Sequence, residues 1–286
     1  MRIYKYFILA CVMSPMAYAG EAINNVTSHV DSTIESWAKQ NISNLRLIEV
    51  ETRIRNYSKT DYRILGMTEL SGTNNEKYLS QFSFSSFDST ETLNLGVVWR
   101  KLNVNQTLMY GYNAFYDYEI DYDHQRASIG GEIKSSILEL NTNHYFAISN
   151  EVTGKNNIKE EVADGYDLEF GAHVPYMPTA KMYAKIFEYD IPGGSDYEGV
   201  EYSSNIGIPN SGMNFEVGYK DYGNNGYDDQ WFFNLTFSLS KMNPNTSFVS
   251  DQAFERVSMK DKKYEKVRRE NIIVKSKAFS VKAGGL

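Results

Sequence analysis

The sequence predicts an all-β protein: a 12-stranded antiparallel transmembrane β-barrel with a short N-terminal periplasmic helix and a C-terminal segment threading the lumen. Three observations carry that prediction. First, apolar and polar residues alternate in short segments from about Leu45 to Ser240, as in Thr92-Leu93-Asn94-Leu95-Gly96-Val97-Val98-Trp99 and Trp231-Phe232-Phe233-Asn234-Leu235-Thr236-Phe237-Ser238-Leu239. Alternation sends the two sets of side chains to opposite faces of a strand. One set is rich in Tyr, Phe, Trp and Leu and the other in Asn, Ser, Glu, Asp and Gly, which suits a wall with lipid outside and water inside. Second, the chain begins like a secreted protein. Third, the links between segments alternate between tight and long.

Arg2 and Lys5 form a positive n-region, Phe7 to Met16 an apolar stretch, and Ala17-Tyr18-Ala19 a small-x-small cleavage site, so residues 1–19 read as a signal peptide. Ile8-Leu9-Ala10-Cys11 loosely resembles a lipid-attachment site, but the segment before it is too short. Cleavage after Ala19 removes Cys11, the single cysteine, and with it any disulfide or thiol chemistry. No later window approaches the ~18–20 consecutive apolar residues of a transmembrane helix. Aromatics make up 14% of the chain, with 22 Tyr, in an otherwise polar composition. A barrel explains both, because half of each strand faces water; a soluble sandwich, which also alternates, is the competing fold. The length suits one barrel and not a barrel plus a large second domain.

Residues 20–44 hold an amphipathic helix over 22–40, with Ile23, Val26, Val30, Ile34 and Trp37 on one face. Its polar face (Asp31, Glu35, Lys39) is not basic enough for a membrane-surface helix, so it is expected to pack under the barrel in the periplasm.

The barrel is expected over 45–241, with strands centred near Val50, Leu65, Phe82, Leu95, Tyr112, Ile129, Leu140, Phe170, Ala184, Tyr202, Val217 and Leu235. Links near 71–76, 101–105, 135–136, 175–178 and 209–211 are tight, whereas the alternate links, notably 149–164 and 190–198, tend to be longer and more polar. Short periplasmic turns and long external loops give this pattern. In the fifth strand Leu108, Tyr110, Tyr112, Ala114, Tyr116 and Tyr118 face lipid, and Gly111, Asn113, Phe115 and Asp117 the lumen. The sixth turns Arg126, Ser128, Gly130, Glu132 and Lys134 inward, and the eighth Asp167, Glu169, Gly171 and His173. The ninth is ambiguous: Lys181, Tyr183, Lys185, Phe187 and Tyr189 share a face that suits neither solvent cleanly.

Residues 242–286 form a basic tail with ten Lys or Arg against five acids. Removing its +5 and the leader's +2 from the total of −7 leaves −14 for residues 20–241. An acidic barrel and a basic tail attract, so the tail is expected in the polar lumen; a solvated, disordered tail is the plainer alternative.

Gly111-Tyr112-Asn113-Ala114-Phe115-Tyr116-Asp117, followed by Arg126 to Glu132 (Arg-x-x-x-Gly-Gly-Glu in outline), resembles the barrel of the inverse autotransporters, the intimin and invasin family of adhesins. Leu138 to Phe146, Gly165-Tyr166-Asp167 through Val174-Pro175-Tyr176-Met177-Pro178, and Val267-Arg268-Arg269-Glu270-Asn271-Ile272-Ile273-Val274 are similar to that family in the same order. The resemblance covers roughly residues 30–276. It implies a twelve-stranded outer-membrane barrel, a periplasmic N-terminus, and a linker leading through the lumen to a surface passenger that does the adhering. Here only Ala278 to Leu286 follow Lys277, so a barrel lacking that C-terminal passenger is expected, and adhesion is not inherited with the barrel.

Chemistry is sparse. Asp121, Asp123 and His124 fall in an external loop where a barrel hydrolase would need a His with carboxylates, but such a loop is ordinarily just solvated. His144 falls on the outward face, and His173 shares the lumen face with Asp167 and Glu169 without a Ser spaced for a triad. No metal-ligand cluster, phosphate loop or nucleophile elbow stands out, and no cofactor is expected; acidic loops such as Glu160-Glu161 or Asp221 to Asp229 are generic calcium candidates. The functional constellation is therefore the lumen. Asn113, Asp117, Arg126, Glu132, Lys134, Glu169, Glu216 and Lys220 project inward and are expected to meet Lys262, Lys263, Lys266, Arg268 and Arg269 of the tail, through exposed pairs contributing ~0–1 kcal/mol each. The expected function is a translocation barrel displaying its C-terminus at the cell surface; a passive pore is the alternative and a barrel hydrolase the third. Expected partners are outer-membrane lipid and lipopolysaccharide, the barrel assembly machinery with periplasmic chaperones, and an unidentified surface ligand. The secretion signal argues against nucleic acid, despite Arg268-Arg269.

Overall fold

The computed structural model describes residues 44–56, 58–154, 158–223, 226–239 and 247–276. The expected signal peptide and the helix over 22–40 lie outside these residues. In chain order the strands are β1 (Leu45–Arg55), β2 (Asp61–Gly72), β3 (Glu76–Phe87), β4 (Thr90–Leu102), β5 (Leu108–Glu119), β6 (Gln125–Ser135), β7 (Leu138–Ala147), a small hairpin of β8 (Val152–Thr153) and β9 (Lys159–Glu160), then β10 (Asp164–Val174), β11 (Met177–Asp190), β12 (Tyr197–Gly207), β13 (Met213–Asp221) and β14 (Gln230–Ser238). All but the β8–β9 hairpin form one closed antiparallel barrel of 12 strands, each paired with its neighbour in sequence, and β1 closing on β14 from Glu49↔Ser238 to Arg55↔Phe232. Closure leaves no edge strand with unpaired backbone groups, which a bilayer core demands.

Every centre expected from alternation falls inside a barrel strand. The outer face is apolar: Leu95, Val97, Ile129, Leu168 and Phe170 are exposed in a band around the middle. Aromatic residues border that band on both sides. Trp99 stacks on Tyr112 at 5.7 Å toward one rim, and Tyr219 packs on Trp231 at 4.7 Å toward the other. Rings placed at both levels of the membrane interface are the mark of an outer-membrane wall.

The two rims differ. One carries the links after β2, β4, β6, β10 and β12 and is here called the turn rim; the other, the loop rim, carries the loop between β7 and β10 with its hairpin. The three shifts of register, at Leu45/Leu47, Glu69/Ser71 and His173/Val174, all lie near the turn rim. The expected contrast of short and long links holds only in part: the β4–β5 and β12–β13 links on the turn rim are as long as the β1–β2 and β5–β6 links on the loop rim, and on the loop rim β3 and β4 are joined by Asp88 and Ser89 alone. Both adopt positive φ, 48° and 66°, as a two-residue hairpin turn requires. The Asp88 amide donates to Asp61 and the Lys59 ammonium to Ser89, and these bonds hold the turn without Gly.

Candidate functional site

The inward faces of the strands and the tail together build one continuous set of contacts. At its centre, Asp117 and Arg126 stand opposite each other on β5 and β6. Arg126 Nε donates to Asp117 at 2.9 Å, and Arg269 of the tail donates to the same carboxylate through both terminal nitrogens, at 3.0 and 2.7 Å. The Asp117, Arg126 and Arg269 side chains are all fully buried. Arg126 also donates to the tail carbonyls of Ile272 and Glu270 at 2.9 and 2.8 Å. Arg269 lies over the Phe115 ring at 4.3 Å. That ring lies flat because β4 offers Gly96 beneath it, where a Cβ would come within 2.3 Å.

Nearer the turn rim, Arg100 pairs with Glu132, and Lys134 adds a contact to Glu132 at 3.1 Å. Arg100 Nη1 donates to the tail carbonyls of Lys263 and Glu265 at 2.6 and 2.5 Å. Lys266 meets Glu49 and Glu51 at 3.0 and 3.2 Å. Arg268 forks onto Glu169 at 2.5 and 2.9 Å, reaches Glu216 at 3.1 Å, and stacks on Tyr183 at 3.7 Å. Lys220 sits 3.3 Å from Glu201 and 4.0 Å from Glu270 of the tail.

The tail's backbone is also held by the wall. The Val267 amide donates to Gln81 at 2.8 Å and the Glu270 amide to the Tyr145 hydroxyl at 2.7 Å, while Asn143 and Asn94 each donate at 3.0 Å to the carbonyls of Arg268 and Asn271. A threaded strand without a ladder of its own needs such partners, since unpaired buried peptide groups are costly. The nine residue steps from Lys266 to Lys275 can span at most roughly 30 Å, comparable to a hydrocarbon core.

The lumen is less uniformly polar than alternation suggests. Val267 packs with Leu47, Leu65, Met67, Leu79, Val98 and Phe115. Val274 packs with Tyr145, Phe187, Tyr189, Tyr197 and Tyr222 near the loop rim. The ambiguous face of the ninth barrel strand, β11, is thus an inner face: Tyr183 and Phe187 are buried there against the plugged lumen, with Lys181 and Lys185 paired to Glu139 and Glu201. Some space remains beside the tail, a cavity of about 80 Å³ whose lining includes Arg53, Asp167 and Glu201, and one of about 280 Å³ at the turn rim.

Two of the five tail cations expected to meet lumen acids do otherwise. Lys262 pairs with Glu265 of the tail itself at 2.9 Å, and Lys263 donates to the Asn74 carbonyl in the β2–β3 turn. Both precede the threaded stretch, in the short 3-10 turn Asp261–Tyr264 at the rim. Asn113 is buried on the wall beside Gly130 but makes no hydrogen bond to the tail among the described residues. His124, expected in a solvated loop, is instead completely buried and bonded to Glu119 at 2.8 Å, because the strand parity that turns Asp117 inward also turns Glu119 inward and the β5–β6 link folds back on it. Arg100, Glu119 and Tyr145 lie on inner faces by the same parity, which was available from the sequence and sufficed to find them. The burial of the central pairs changes their energetics: breaking one strands an uncompensated charge at about 3–5 kcal/mol, rather than the ~0–1 kcal/mol of exposed pairs.

Comparison with known proteins gives the following. The family model described as "Inverse autotransporter, beta-domain" matches residues 13–271. An intimin from Escherichia coli O111:H- is 25% identical over 196 residues, which cover 65% of this chain and 21% of the intimin. An invasin from Yersinia enterocolitica is 29% identical over 114 residues, 39% of this chain and 13% of the invasin. The chain therefore spans about a fifth or less of the length of these relatives. A solved membrane protein described in work on in-meso crystallization matches with a TM-score of 0.66 at 20% identity, covering 80% of this chain and 99% of the other, and supports the fold.

Proposed function

This chain belongs to the inverse autotransporter β-domain family and lies in the bacterial outer membrane, and from that premise we propose that it is a translocation barrel that exports and displays its own C-terminal segment at the cell surface. The observation that carries this reading is the keyed contact between tail and wall, centred on Arg269, Asp117 and Arg126. An open diffusion pore would leave these wall groups to water, whereas here a segment of the same chain is bonded to several walls. A segment on its way through, or halted after passage, needs those partners. The turn rim is then periplasmic, the chain enters there after Met259, and Lys275 lies at the outer end.

Mechanistically, the barrel supplies a polar corridor and no energy-coupling site. Several peptide groups of the seated chain find wall partners, among them the Val267 and Glu270 amides and the Arg268, Glu270, Asn271 and Ile272 carbonyls, which lowers the cost of burying its backbone. Val267 and Val274 then seat in their apolar nests and stop the chain in register. Adhesion, named in the inverse autotransporter adhesin YeeJ of Escherichia coli K12, which is 29% identical over 104 residues (35% of this chain and 4% of that protein), comes to this chain as part of the same proposal, with a surface ligand recognised beyond Lys275. Outer-membrane lipid and lipopolysaccharide bathe the apolar band, and insertion relies on the barrel assembly machinery and periplasmic chaperones.

The test is an epitope tag placed after Leu286 and challenged with protease on intact and then permeabilised cells. Removal from intact cells is expected. Loss of the tag only after permeabilisation would leave the C-terminus in the periplasm and end the display reading.

A further inference from the structure

At the loop rim the tail ends in a second charged cluster, separate from the central triad. Residues 274–276 pair with 161–163 through Ala163 N to the Val274 carbonyl at 3.0 Å, Ser276 N to the Glu161 carbonyl at 2.8 Å, and a bridge between Val162 and Lys275. This pairing delivers the Lys275 ammonium into a pocket made by Glu119, His124 and Glu160. Its distances are 2.6 and 2.9 Å to the two Glu119 oxygens, 2.8 Å to Glu160 Oε2 and 3.4 Å to His124 Nδ1.

Three features of this pocket bear on what cation it can hold. One ligand atom from each of Glu119, His124 and Glu160 lies within 4.8 Å of the others, and all three residues are buried. His124 is fully enclosed, and its Nε2 has no hydrogen-bond partner although it faces Glu160 Oε2 at 3.8 Å. Whichever nitrogen carries the proton, the ring is left incompletely satisfied. Gly154 lets the Glu160 carboxylate come in close, since a Cβ there would stand 2.3 Å from Oε2. Two carboxylates against one ammonium leave the pocket one charge short of neutral, and a divalent ion would match it.

We propose that Glu119, His124 and Glu160 form a divalent transition-metal site that the Lys275 ammonium fills in the threaded chain, so that metal and tail end compete for it. One imidazole nitrogen and two carboxylates make a donor set suited to zinc-class ions, which coordinate such ligands at about 2.0–2.2 Å. Binding through Nδ1 releases its bond to Glu119 and puts the ring proton on Nε2, the nitrogen now without a partner. Withdrawal of Lys275, as must occur whenever the tail is not in register, exposes two buried carboxylates with no counter-charge, which a metal ion then neutralises. The proposal holds whichever rim faces the outside, so its failure would leave the display reading untouched.

The experiment is zinc titration by calorimetry on the full chain in detergent, with folding of each variant checked by heat-modifiable gel migration. Lys275→Ala is expected to bind one zinc ion at least about tenfold more tightly than the unaltered chain. His124→Ala and Glu160→Gln, each combined with Lys275→Ala, are expected to lose that gain. The remaining histidines are common to all variants and cancel. Zinc affinity unchanged by Lys275→Ala, or retained after His124→Ala in that background, would overturn the site. Calcium bound more tightly than zinc by Lys275→Ala would overturn the transition-metal assignment.

Discussion

Two stretches of the same tail meet the barrel by different physics. Residues 247–259 run along the turn rim and are tied to the wall through backbone: Tyr176 N to the Ala253 carbonyl, Ser250 N to the Tyr176 carbonyl, Met259 N to the Gln106 carbonyl. Many of their side chains stay in solvent, Phe254 and Val257 among them, and Met259 alone is driven into a small nest with Leu102 and Met109. Residues 266–276 are tied through side chains that reach from several walls to one chain, most of them charged and buried. Backbone ties accept many sequences. A guanidinium sharing a buried carboxylate accepts very few. The rim stretch therefore serves as a guide, and the lumen stretch as a lock with a set register.

Ending the chain before Met242 removes guide and lock together and should have the largest effect, turning a closed barrel into an open channel in planar-bilayer recordings. A truncated chain conducting no better than the full one would mean that the tail is not the barrier. Within the lock, Asp117→Asn leaves Arg126 and Arg269 both buried around a neutral amide. A loss of about 3–5 kcal/mol is expected in urea unfolding from lipid vesicles. Adding Arg269→Met should recover part of that loss, and strict additivity of the two changes would deny the coupling. Gln81→Ala takes the acceptor from the Val267 amide and should cost about 1–3 kcal/mol by the same measurement. Ser250→Ala, in the guide, removes only local bonds, from its hydroxyl to Glu255 and from the exposed Gln252 amide to it, and should stay within about 0.5 kcal/mol. A larger change there than for Gln81→Ala would erase the distinction between the two stretches.

The sequence showed the wall more clearly than it showed the lumen. Alternation located each of the barrel strands because every turn of register reverses a whole face, and a bilayer outside enforces that reversal without exception. The same parity placed Asp117, Arg126 and Glu169 inside. It faltered at β11, where Tyr183, Phe187 and Tyr189 share a face with Lys181 and Lys185. Those rings face inward because the lumen is filled, and only the occupant makes an apolar inner face sensible. His124 misled for a related reason. A polar loop is solvated by default, yet this one folds back over the end of β5 and meets Glu160 and Lys275 from segments far along the chain. Lys262 and Lys263 misled by composition, since a run of tail cations says nothing about where the chain crosses the rim.

By itself the sequence determined the barrel, its strand number, the sign of attraction between wall and tail, and the family. The first three follow from periodicity and net charge, which are additive along a chain and survive without coordinates; the family resemblance rests on short motifs kept in order, such as Gly111 to Asp117 and Arg126 to Glu132. The tertiary structure alone decided which charges meet, that Arg269 and Arg126 share Asp117, that Val267 and Val274 are seated in apolar nests, and that Lys275 stands where a metal ion would fit. Pairing depends on the depth at which each tail residue comes to rest, and that depth is set by closure of the whole barrel around it.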